Sequence, residues 1–84
     1  MKATDAERLA NQIDAVGSGA NMRRMTVYQR INYNIAHSQS RSVIRFGLMR
    51  TGAKELDSNR ERVLVRAHQV AMDISSELAS IVEP

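Results

Sequence analysis

The stretch Asp57-Ser58-Asn59-Arg60-Glu61-Arg62-Val63-Leu64-Val65-Arg66-Ala67-His68-Gln69-Val70-Ala71-Met72-Asp73-Ile74-Ser75-Ser76-Glu77-Leu78-Ala79-Ser80-Ile81 decides the fold class. Val63, Ala67, Val70, Ile74, Leu78 and Ile81 recur at spacings of four, three, four, four and three. That recurrence marks one face of an α-helix of about five turns. Ser58-Asn59-Arg60-Glu61 has the form of a capping box, and Asp57-Ser58-Asn59 carries turn chemistry. The pattern predicts a helix over about 59–82.

Working outward, Thr4-Asp5-Ala6-Glu7 is a second capping-box pattern. Ala6, Leu9, Ile13 and Val16 follow as one apolar stripe, which predicts a helix over about 4–16. Gly17-Ser18-Gly19 ends it as a hinge or turn. From Ala20 a third pattern begins, with Met22, Met25, Tyr28, Ile31 and Ile35 as its apolar stripe. Val43, Ile44, Phe46, Leu48 and Met49 resume it after a polar segment. The expected helix covers about 20–56. It either runs unbroken or kinks near 38–42, where serines offer the backbone competing hydrogen bonds. Gly47 and Gly52 each weaken it by about 1 kcal/mol relative to Ala. Thr51-Gly52 rivals Asp57–Asn59 as the following turn. The latter is favoured because a cap there satisfies unpaired N–H groups.

The expected fold is therefore all-α: a short N-terminal helix, then two long antiparallel helices forming a helical hairpin, in one domain over 1–84. Strands are improbable with only Tyr28, Tyr33 and Phe46 as aromatics. The middle helix would be about 50 Å long and overhang its partner. The first helix, another subunit, or both must then cover Met22, Met25 and Tyr28. A chain of 84 residues buries only roughly 60% of its unfolded surface. Without cysteine, no disulfide or thiolate metal site can help, and assembly as a homo-oligomeric bundle is expected. No stretch approaches the roughly 20 apolar residues of a membrane span, and the N-terminus lacks a signal-peptide core. A cytoplasmic protein with no membrane contact is expected.

The net charge of +3 conceals an asymmetry. From Ala15 to Lys54 there is no acid, while Arg23, Arg24, Arg30, Arg41, Arg45, Arg50 and Lys54 all lie there. Arginine outnumbers lysine ten to two, and its planar fork suits phosphate and carboxylate. On one continuous helix, Arg23, Arg30, Asn34, His37, Arg41 and Arg45 share a direction to within about 40°. Such a face can hold phosphate groups, or be simply a solvated basic surface. Tyr33 points off the apolar stripe and is the candidate for stacking a base. Tyr28 reads as an ordinary half-buried tyrosine. His37 and His68 lack a nearby ligand or acid in sequence, so neither a metal site nor a cofactor is expected. Ser38, Ser40 and Ser42 beside His37 read as polar helix rather than nucleophiles, and the protein is not expected to be an enzyme. The methionines Met22, Met25, Met49 and Met72 read as core filling, with an adaptable partner groove as the alternative.

Leu56-Asp57-Ser58-Asn59-Arg60-Glu61-Arg62, followed by Leu64, Ala71 and Met72, resembles a helical-hairpin family of phage cyclic-nucleotide sponges. These counter CBASS immunity, and a related hairpin occurs in sponges that counter Thoeris immunity. The resemblance covers about a quarter of the chain. It departs from the family at Ala67, where threonine is usual, and after Met72, where tryptophan is usual. It implies a small helical oligomer that sequesters signalling nucleotides, with Arg60 and Arg62 where a hairpin tip could touch ligand. The expected function is non-enzymatic binding of a phosphate-bearing nucleotide. The alternatives are a DNA- or RNA-binding helical dimer and a small adaptor or inhibitor docking on an acidic protein surface.

Overall fold

In the computed structural model, which describes residues 1–80, the chain is all-helical. The elements are α1 (Ala3–Val16), α2 (Gly19–Arg24), α3 (Val27–Ile44), a π-helical turn (Arg45–Met49) and α4 (Ser58–Ala79). Ile81 and the end of the helix expected over 59–82 lie outside the described residues. No helix is long and apolar enough to cross a membrane among the described residues.

The first helix keeps its predicted face: Ala6, Ile13 and Val16 are buried, and Leu9 packs against them. Its start differs. Lys2 occupies the cap position with no side-chain bond, so the Thr4–Glu7 box is not used. A long-range contact takes over that role. The N–H of Ala3 donates to the Lys54 carbonyl at 2.8 Å, and the N–H of Leu56 donates to the Met1 carbonyl at 2.7 Å. These bonds flank an isolated antiparallel bridge between Lys2 and Glu55.

The expected helix over 20–56 is instead two helices and a π-helical turn. Met25 and Thr26 are both extended, with ψ of 143° and 165°. Thr26 is a new cap: its Oγ1 accepts from the N–H of Gln29 at 3.1 Å. The Gln29 Oε1 accepts from the N–H of Thr26 at 2.9 Å, completing a capping box. That break turns Met25 inward and removes the predicted overhang. Arg24 then reaches the far end of α4, donating to the Leu78 carbonyl at 2.8 Å. Nearby, Gln29 Nε2 donates to Glu77 Oε2 at 2.7 Å. The start of α3 thus lies beside the end of α4.

α3 runs without a break through Ser38 to Ser42. The helical run ends at Met49, before Gly52, whose φ of +66° lies in the left-handed region that favours glycine. Thr51 assists, its hydroxyl donating to the Gly47 carbonyl at 3.1 Å. Both rival turns are therefore used, one to end the π-helical turn and the other to begin α4. The cap of α4 is Asp57 rather than Ser58, with Oδ1 accepting from the N–H of Arg60 at 2.9 Å.

The buried face of α4 is Leu64, Ala67, Ala71, Ile74 and Leu78. It is rotated from the predicted stripe, leaving Val63 exposed and Val70 partly buried. The inward face of α3 is Tyr33, Ala36, Ser40 and Val43. The predicted stripe of Tyr28, Ile31 and Ile35 points to water instead. The two tyrosines thus exchange their expected roles: Tyr33 is 2% exposed and Tyr28 75%. The Tyr33 hydroxyl donates to the Ile13 carbonyl at 2.6 Å. Its ring packs on Gly17, where a methyl group would collide with it. Gly47 is a second close approach: an added Cβ would lie 2.6 Å from Leu56 Cδ1 and 2.8 Å from Arg60 Cδ.

Replacing Tyr33→Phe strands a buried carbonyl and should destabilise the fold by about 1–2 kcal/mol, read as a lower Tm. The Arg60 N–H and guanidinium hold the Asp57 carboxyl below its ordinary 3.8. A depressed carboxylate stabilises above its unfolded value and loses that contribution as pH falls through its folded one. The Tm difference between wild type and Asp57→Asn, which keeps a cap acceptor, should therefore shrink as pH drops below 3.8.

Candidate functional site

The predicted cationic face does not survive as one continuous stripe. Arg23 stands on α2, and the extended Met25–Thr26 step breaks its phase with α3. Within α3, Arg30, Asn34, His37 and Arg41 still share a direction by helical spacing, with Arg45 one residue past the helix end. Their environments differ. Arg30 Nε donates to the Met22 carbonyl at 2.9 Å, which ties α3 to α2. His37 is half-buried and places Nε2 2.9 Å from Asp14 Oδ1 on α1. Its ring also lies 5.7 Å from the Tyr33 ring. Asn34 is exposed. Tyr33 is unavailable for stacking because it belongs to the core. Burial pushes its hydroxyl above the ordinary 10.0, Asp14 pushes the same way, and a hydrogen bond with the Gly17 backbone opposes them.

Arg41 and Arg45 are brought together. They line a groove of about 590 Å³ between α1 and the end of α3. Among the described residues neither guanidinium has a hydrogen-bond or ion-pair partner. One wall carries Glu7, Asn11 and Asp14; the other adds Phe46 and Met49. The Phe46 ring lies under two guanidiniums, 5.6 Å from Arg45 and 5.3 Å from Arg50. Ser40 also lines this groove. Its side chain is fully buried, yet its Oγ has no hydrogen-bond partner among the described residues.

Arg60 and Arg62, the arginines expected at a hairpin tip, are engaged locally. Arg60 Nη1 lies 2.6 Å from Asp57 Oδ2, and Arg62 Nη2 donates to Asn59 Oδ1 at 3.1 Å. Arg62 shares a second depression of about 290 Å³ with Gln39, Asn59, Val63 and Arg66. Arg41 and Arg45 thus line the groove beside α1, and Arg60 and Arg62 do not.

Sequence reasoning missed the α1 wall and Arg66. Arg62 and Arg66 stand four apart on one helix, a signal that was present. Nothing local links Glu7 or Asn11 to Arg41, because that contact depends on how α1 packs. His68, exposed at its ring nitrogen, contacts Gln12 Oε1 at 2.7 Å. Among the described residues no three His, Cys, Asp or Glu side chains gather at a point. Comparison with family models, curated proteins and solved structures finds no match.

Proposed function

We propose that the groove between α1 and α3 binds a small phosphate-bearing nucleotide, and that the protein acts by holding this ligand rather than by transforming it. The observation that carries the reading is the pairing of Arg41 and Arg45 at one groove, both without an acidic partner among the described residues. Two guanidiniums one helical turn apart can each give charge-assisted hydrogen bonds to a phosphate.

The opposite wall narrows the ligand class. Glu7 and Asp14 repel a bare polyanion, while Glu7 can accept from, and Asn11 accept from or donate to, a base edge. A molecule with one anionic end and one hydrogen-bonding end fits both walls. A nucleotide has that character; a nucleic-acid backbone or an acidic protein surface does not. The resemblance around Leu56–Arg62 points the same way, toward sequestration of cyclic nucleotide immune signals by a helical hairpin, here α3 with α4.

Calorimetric titration against a panel of cyclic di- and trinucleotides tests the reading. Binding by at least one member is expected. Arg41→Ala with Arg45→Ala should weaken it at least about 100-fold, since hydrogen bonds to charged groups contribute about 1.5–3 kcal/mol each. No heat from any member with folded protein rejects it. Binding only to random-sequence DNA, weakening steeply with salt, moves the function to nucleic acid.

A further inference from the structure

α3 carries two apolar stripes, and the core uses only one of them. The outward stripe runs Tyr28, Ile31, Ile35, Ser38, Ser42, Phe46, Met49. Its five large members are 75%, 54%, 53%, 43% and 74% exposed, in chain order. The steps between neighbours are three, four, three, four, four and three, close to the alternation of a coiled-coil seam. The additional residue falls at the π-helical turn Arg45–Met49, whose wider winding takes it up.

We propose that this seam is where two copies of the chain meet, with their α3 helices antiparallel about a two-fold axis near Ser38 to Ser42. The distribution of size along the seam selects this occupant. Bulk lies at both ends, Tyr28, Ile31 and Ile35 at one and Phe46 and Met49 at the other. Only serines lie between. Reversing a second helix puts bulky end on bulky end and lets the backbones approach at the small centre, an isologous contact. No seam position is charged. The area is also sufficient. With Val27, 71% exposed on the same side, the seam leaves roughly 700 Å² in water, near the ~800 Å² per partner of a standard interface.

The flanks add a signature. Arg41 and Arg45 border the seam, and antiparallel pairing sets the same basic flank of each copy side by side. Like charges then oppose association, and chloride screens them. Dimerisation should strengthen as salt rises, whereas docking on an anionic lipid surface or acidic protein weakens.

Sedimentation of the purified chain in phosphate-free buffer tests the inference, separately from any ligand. A dimer at micromolar concentration is expected, tighter at higher sodium chloride. Ile31→Glu with Ile35→Glu should sediment as a monomer with unchanged helical circular dichroism, because both sites already face water. Val65→Glu, on the exposed side of α4, should stay dimeric. A wild-type monomer throughout overturns the proposal, whether or not it floats with phosphatidylserine vesicles. So does a dimer that survives the double substitution.

Discussion

The hydrogen bond from the Tyr33 hydroxyl to the Ile13 carbonyl sets which side of α3 looks inward. α3 could have buried either of two apolar stripes. The larger, outward one offers more area, yet the inward one is built from Tyr33, Ala36, Ser40 and Val43. Its small members let α3 lie close to α4, whose facing residues include Ala67 and Ala71. Tyr33 is the single bulky element, and it reaches across to α1 where Gly17 leaves room for the ring. Once Tyr33 is inside, His37 one turn on meets Asp14, and Arg41 and Arg45 follow into the groove beside α1. The candidate site is thus a consequence of the same rotation that buries the tyrosine.

That rotation explains what could and could not be read from residues alone. The helical class and the face of α1 follow from local spacing. So does the approximate extent of α4. The division of the middle helix was also written locally: Thr26 and Gln29 stand in capping-box spacing. A methionine-rich apolar run across them masks the signal. The orientation of α3 was not legible, because its apolar residues surround more than one side. Spacing ranks the stripe of Ile31 and Ile35 first, being larger. Packing ranks it second, since bulky residues hold two helices apart. The exchange of roles between Tyr28 and Tyr33 comes from that one difference.

The site shows the same division. Arg41 and Arg45, four apart, were visible as a local pair. His37 seemed part of the same cation set until α1 supplied Asp14 from 23 positions earlier. The burial of Ser40 is likewise a tertiary fact. Leu56 links both levels, binding the Met1 carbonyl through its N–H while its side chain fills the space that Gly47 leaves. The segment that joins the π-helical turn to α4 thereby clamps the start of α1, and with it the acidic wall of the groove.

The inward orientation of Tyr33 is tested most directly by nuclear Overhauser contacts from the two tyrosine rings in solution. Cross-peaks from the Tyr33 ring to Gly17 and Ile13, with none from Tyr28, are predicted. Contacts from the Tyr28 ring to Gly17 and Ile13 would contradict the account, because α3 would then present its other stripe to the core.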